Sequence, residues 1–165
     1  MCGNGARVCA HVLVARGFLP ADTEQGAFGT RAGRKEFRIH DYADDGTWAD
    51  VEIAMGEVEL MGISSAEFAG QHVAGLALSV GNPHLACVLP NLNAEQLAAM
   101  DFRQPPEFDT EFFPAGSNLE ILTPLREGRT SMRVYERGVG ETQSCGTGTV
   151  ASAFAALADA GMENG

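Results

Sequence analysis

Two turns of one pattern constrain this chain more than anything else in it: Cys2-Gly3-Asn4-Gly5 and Cys145-Gly146-Thr147-Gly148. Each sets a cysteine ahead of a Gly-x-Gly turn that opens an Ala/Val-rich apolar segment, so the chain reads as two halves sharing the order thiol, turn, buried helix. A cysteine at a helix N-terminus lies beside unpaired N–H groups and the positive end of the macrodipole. That setting lowers a thiol pKa from about 8.5 to roughly 3.5–7.5, so Cys2 and Cys145 are expected to be ionisable sulfurs able to act as bases. The same N–H groups form an anion site, and the glycines let a ligand approach the backbone closely, so that a carboxylate fits between the two helix ends. Packing does not require a matched thiol in both places. Cys9, inside its helix, and Cys87, within an apolar strand, are expected to be core residues.

Composition narrows the chemistry. At 165 residues, 45% hydrophobic and 20% charged, the chain can bury a real core. A net charge of −11 and a pI near 4.6 speak against nucleic acid, which needs clustered Lys and Arg. No apolar run reaches the 18 or so residues of a membrane span, and no secretory segment leads the chain. Four cysteines without a CxxC pair fit a reducing cytoplasm rather than a disulfide framework, and they argue against zinc.

Along the chain, Ala6 to Arg16 reads as a buried helix stopped by Gly17. Strands are predicted over Ala27–Arg31, Glu36–Tyr42 and Trp48–Met55, the last two joined as a hairpin through Asp44-Asp45-Gly46. Periodicity fades between Gly56 and Gln71, which places a domain boundary there. A strand over His72–Val80 precedes the kink Gly81-Asn82-Pro83-His84 and a further strand to Leu89. Asn93 caps a short helix to about Met100. A Pro-rich loop through Pro105, Pro106 and Pro114 leads to Asn118 and a strand over Leu119–Leu122. Thr130–Glu136 alternates as a strand, Gly138 and Gly140 permit a sharp loop, and a helix runs from about Thr149 to Ala160, stopped by Gly161. Both ends look cut, because one turn with chemistry in it begins the chain and little follows the second helix; the chain reads as an internal fragment whose Met1 is not the native start.

The remaining candidates are polar. His84 sits at the kink, where a lone histidine is commonly structural. Glu136 and Arg137 precede the second thiol across a Gly-rich loop; a carboxylate there can hold an ammonium, and a guanidinium can fork onto a carboxylate. Neither Gly-x-Gly continues into a phosphate-binding pattern, so nucleotides are discounted. Lys35, the only lysine, lies in the polar stretch 31–38, so pyridoxal phosphate has no anchor and any amino acid chemistry is expected to use no cofactor.

Together, Met1–Arg7 (MCGNGAR), Gly81–His84 (GNPH), Ser117-Asn118, Glu136–Thr142 (ERGVGET) and Ser144–Thr149 (SCGTGT) resemble the signature blocks of the diaminopimelate epimerases, in that family's order and over nearly the whole chain. The resemblance implies an α/β (α+β) fold of two pseudo-symmetric halves, each a mostly antiparallel barrel-like sheet around a central helix and truncated here. Residues 1–56 would be the remainder of the N-terminal half, and 57–165 a C-terminal half incomplete at its end. It implies a cytoplasmic, cofactor-free isomerase of lysine and peptidoglycan-precursor synthesis that interconverts LL- and meso-diaminopimelate. Its expected partners are that small molecule and, in a homodimer, a second copy; no nucleic acid, membrane or metal is expected.

By the same resemblance Cys2 and Cys145 are acid/base thiols on opposite faces of the α-carbon. Gly3, Asn4, Gly146 and Thr147 offer N–H groups to the reacting carboxylate. Asn82, Asn118 and Arg137 contact the distal end, Glu136 an ammonium, and His84 is an auxiliary polar group near the thiols. Two alternatives stay open: a proline or hydroxyproline racemase, which typically reads Cys-Gly-His-Gly where Asn4 stands here, and an inactive binding or redox fragment whose Cys2 and Cys145 pair.

Overall fold

The computed structural model describes residues 3–30 and 33–162, and the chain divides into two compact units, Met1–Gly56 and Glu57–Gly165. In the first, helix α1 (Gly3–Ala15) is followed by three strands, β1 (Gln25–Thr30), β2 (Gly33–Tyr42) and β3 (Ala49–Ile53), which form an antiparallel sheet in that order. The Asp44-Asp45-Gly46 turn joins β2 to β3: Asp45 Oδ1 accepts from the Thr47 N–H and hydroxyl, and Gly46 takes φ 71°. Ala10 and Val14 of α1 pack on Phe37, Ile39 and Val51, the inward residues of β2 and β3. His11 Nε2 meets the Gly46 carbonyl at 3.0 Å and ties helix to turn.

Only one stripe of α1 is covered: Gly3, Ala6, Ala10 and Val14 are buried, whereas Val8 and Val12 are exposed. Cys9 is exposed as well, which corrects its expected place in the core. A run of apolar letters gave it that place, but the spacing i, i+4, i+8 decides what faces the sheet.

The second unit is a seven-stranded sheet of order β10-β9-β8-β6-β5-β4-β7. Its strands are β4 (Glu59–Phe68), β5 (Gln71–Ser79), β6 (Pro83–Val88), β7 (Glu107–Phe108), β8 (Asn118–Leu122), β9 (Met132–Glu136) and β10 (Gly140–Thr142), with helices α2 (Ala94–Ala99) and α3 (Gly146–Asp159). All pairs are antiparallel except β6 with β8, which run parallel at the centre. A parallel pair needs a crossover, and here it carries α2, the Pro-rich loop and β7. The sheet curls as a half-barrel. One core joins Phe68, Val73, Ala77, Leu85, Cys87, Leu119 and Ile121 to Leu97, Phe102 and Phe113 of the crossover. Since side chains alternate along strands, His84, Ala86, Glu120 and Val134 take the other face, and α3 packs on β5, β6 and β8.

β4 is the element that the fading periodicity between Gly56 and Gln71 hides. Its buried positions are Ser64, Ala66 and Phe68, while Leu60, Met61 and Ile63 are exposed. Ahead of Phe68 the inward positions carry the small Ser64 and Ala66 while large apolar side chains face out, the reverse of the usual signal. No helix among the described residues is long and apolar enough to cross a membrane.

Candidate functional site

The site is best built from α3 outward. Cys145, in extended backbone at φ −127° and ψ 114°, is the N-cap of α3, and its sulfur accepts from the Gly148 N–H at 3.4 Å. The Thr147 hydroxyl lies 3.4 Å from the same sulfur, and the Cys145 carbonyl accepts from the Thr149 N–H at 2.8 Å. Gly146 and Thr147 therefore occupy the first turn, where N–H groups have no carbonyl of their own helix to reach. The helix begins at Gly146, three residues before the expected Thr149, because the cysteine itself caps it.

The expected depression of the Cys145 thiol does not hold. Burial pushes its pKa up, the Thr147 hydroxyl and Gly148 N–H oppose that rise, and the Glu136 and Glu120 carboxylates add to it. Desolvation outweighs the helix end here.

Beneath the first turn lies a buried pair. His84 on β6 and Glu120 on β8 are both 0% exposed in their side chains, and His84 Nδ1 lies 2.7 Å from Glu120 Oε1. Through Nδ1, His84 meets Glu120. Burial pushes the Glu120 carboxyl up, and the bond from His84 pulls it back. Gly148 holds the space between: a Cβ there would lie 2.6 Å from Glu120 Oε1 and 3.3 Å from the Cys145 sulfur. Sequence reading passed over both Glu120 and Gly148. A lone carboxylate in the apolar run Leu119-Glu120-Ile121-Leu122 was the available signal.

Parallel pairing sets His84 opposite Asn118, so the starts of β6 and β8 adjoin. Asn118 Oδ1 accepts from the Arg137 N–H at 2.9 Å, and Arg137 Nη1 reaches the carbonyls of Ala115 and Gly116 at 3.4 Å. Glu136 accepts from the Thr142 hydroxyl at 2.5 Å. Asn82 and Arg137 line one cleft of about 460 Å³, with Ser79, Pro83, Phe112 and Gly116. Among the described residues Asn82 Oδ1, His84 Nε2 and Glu120 Oε2 are buried without a hydrogen-bond partner, an uncommon state for buried polar atoms.

Thus Asn82, His84, Asn118, Glu136, Arg137, Cys145, Gly146 and Thr147 all fall in the second unit. Gly3 and Asn4 belong to the first: Gly3 is buried at the start of α1, and Asn4 is exposed, with Oδ1 accepting from Arg7. Cys2 lies outside the described residues.

Fold and side chains together define a mixed α/β chain in which a cysteine-capped helix rests on a curled, mostly antiparallel sheet over a buried His–Glu pair. The family model described as Diaminopimelate epimerase matches residues 76–165. The chain belongs to the diaminopimelate epimerase family. It is 53% identical over its whole length to the diaminopimelate epimerase of Corynebacterium aurimucosum, covering 58% of that protein. Identity is 51% to the diaminopimelate epimerases of Rhodococcus erythropolis and Mycobacterium ulcerans, again over the whole chain, which covers 55% and 56% of them. The chain thus spans a little over half the length of the curated relatives it matches.

Proposed function

We propose that the complete protein interconverts LL- and meso-diaminopimelate by moving a proton between two cysteines across the substrate α-carbon. The observation that carries this reading is the capped start of α3, where the Cys145 sulfur and first-turn N–H groups share one helix end. The chain's similarity to diaminopimelate epimerases supports diaminopimelate as the substrate. In the same reading residues 1–56 belong to the N-terminal half and 57–165 to the C-terminal half, and the enzyme works in the cytoplasm, where both thiols stay reduced.

Cys2 and Cys145 act from opposite faces: one takes the α-proton as thiolate while the other delivers a proton as thiol. Burial raises the Cys145 thiol and so favours its protonated form, the form that delivers a proton. The N–H groups of Gly146 and Thr147, with those of Gly3 and Asn4, hold the reacting carboxylate. Fixed donors stabilise the enolate-like charge that grows on it as the proton leaves, a contribution of roughly 3–4 kcal/mol per donor in a comparable oxyanion hole. Arg137, Asn82 and Asn118 receive the distal end of the substrate, and Glu136 an ammonium. His84 supports the thiols from beneath the helix.

The test is α-hydrogen exchange. Reduced complete protein in deuterium oxide should erase the α-proton signal of diaminopimelate in NMR spectra, and Cys145→Ser should slow this by about 100-fold or more, the usual scale of acid–base catalysis. Cys9→Ser should leave it within about twofold, since that thiol is exposed on α1 outside any part of the site described above. Absence of exchange by the reduced protein overturns the reading.

A further inference from the structure

The mechanism above leaves the Glu120 carboxylate unused, although it is fully buried, joined to His84, and close to the same point beside Gly148 as the Cys145 sulfur, where a Cβ would lie 2.6 Å from Oε1 and 3.3 Å from the sulfur. We propose that Glu120 is a positioning residue: through Nδ1 it fixes the His84 ring, and across Gly148 it sets the charge that the Cys145 sulfur faces. The proposal rests on the epimerase reading only for its link to turnover. Its structural part stands on this chain's own geometry.

Three observations converge. A carboxylate in the middle of an all-buried strand is costly unless paired, and Glu120 finds one partner, the imidazole 2.7 Å away. Bonding through Nδ1 selects the tautomer, with Nδ1–H donating to Oε1, so Nε2 carries the free lone pair; Nε2 is the buried atom without a partner. Gly148 lets the carboxylate approach the start of α3 closely, since any side chain there would collide with Oε1.

Among the described residues, the charged and titratable groups around Cys145 are few. Glu120 faces it from β8, Glu136 from the end of β9, and the Thr147 hydroxyl and Gly148 N–H from α3; His84 on β6 acts through Glu120. The two carboxylates disfavour the thiolate and the two donors favour it. Neutralising Glu120 removes one of the two opposing charges without disturbing the donors. Gln at this position keeps an oxygen for the His84 Nδ1–H, so Glu120→Gln separates charge from hydrogen bond.

The experiment reads the sulfur directly in the complete protein. Wild type and Glu120→Gln are alkylated with iodoacetamide across a pH series, and modification of the Cys145 peptide is followed by mass spectrometry. The Glu120→Gln profile should move to lower pH, with alkylation at neutral pH at least about threefold faster. Deuterium exchange into diaminopimelate should then show kcat reduced with KM within about twofold, since Glu120 does not touch substrate. An alkylation profile that coincides with wild type overturns the proposal.

Wild-type protein gives a second arm that needs no variant. Long-range proton–nitrogen spectra should show His84 protonated at Nδ1, and a proton on Nε2 alone overturns the proposed tautomer. Neither the alkylation nor the spectra requires turnover. A protein that exchanges no α-hydrogen but shows both signatures overturns the epimerase reading alone, whereas one that turns over with an unmoved profile overturns the role of Glu120 alone.

Discussion

Glycine inside a helix ordinarily costs about 0.5–1 kcal/mol relative to alanine, yet at Gly148 the sign should reverse. The added methyl would have to push against a buried carboxylate oxygen at 2.6 Å and a sulfur at 3.3 Å. Gly148→Ala should destabilise by roughly 1–3 kcal/mol, read as a lowered urea midpoint with unchanged slope. Cys87 carries a second residue-scale expectation. Burial, with a smaller push from Glu120, takes its thiol up to about 12 from an ordinary 9.0. Its pKa is raised on folding, so its contribution is full below pH 9 and fades as pH rises toward 12, while the unfolded thiol ionises freely. At about pH 10.5 the wild type should have lost about 2 kcal/mol that Cys87→Ala does not lose, measured as the difference in unfolding free energy between pH 8 and that pH.

Among the elements, α2 is the one whose survival needs explaining, because an isolated helix of six residues is unstable in water. Its start is closed by a capping box: Asn93 Oδ1 accepts from the Gln96 N–H, and the Gln96 side chain accepts from the Asn93 N–H. Its end is closed by Arg133 of β9, whose Nη1 donates to the carbonyls of Leu97 and Met100 at 2.8 Å. The same guanidinium stacks 3.9 Å over the Phe102 ring and bonds Glu141 through Nε at 2.6 Å. Lysine cannot make that fork and stack together. Arg133→Lys should therefore cost about 1–2 kcal/mol, and amide exchange over 94–100 should rise ahead of the rest of the unit.

The same scale explains what could be read from letters alone. The β2–β3 hairpin was legible because Asp-Asp-Gly is a local turn signal, and α2 because Asn93 is a local cap. β4 was not, since Ser64 and Ala66 face in while Ile63 faces out, so its place depends on pairing along β5 that no short window contains. The α3 start was misplaced by three residues for the opposite reason: a cysteine serves as cap where Ser, Thr, Asp or Asn is usual. Of the site, the signature blocks were visible, but the rise in the Cys145 pKa was not. It comes first from burial, which is a property of the whole packed unit, and then from Glu136 and Glu120, brought close by β9 and β8.

Across the whole molecule the two units differ in how much core they own. β6 and β8 lie at the centre of their sheet with Leu85, Leu119 and Ile121 fully buried, each contributing roughly 1.5–3 kcal/mol, whereas the core cluster between α1 and its strands holds five buried residues, Ala10, Val14, Phe37, Ile39 and Val51. Hydrogen exchange should therefore be slowest at β6 and β8 and distinctly faster throughout β1, β2 and β3; equal protection in both would contradict this distribution of core.

Because β6 and β8 run side by side in one direction, everything reactive at their beginnings is gathered at a single end, while the excursion joining them leaves from one rim and returns to the other. Only the exposed parts of that detour, residues 103–105 and 109–111, can change without loosening Leu97, Phe102 and Phe113 from the core or sliding His84 past Asn118. Variation among relatives should accumulate there while the chemical end keeps its spacing.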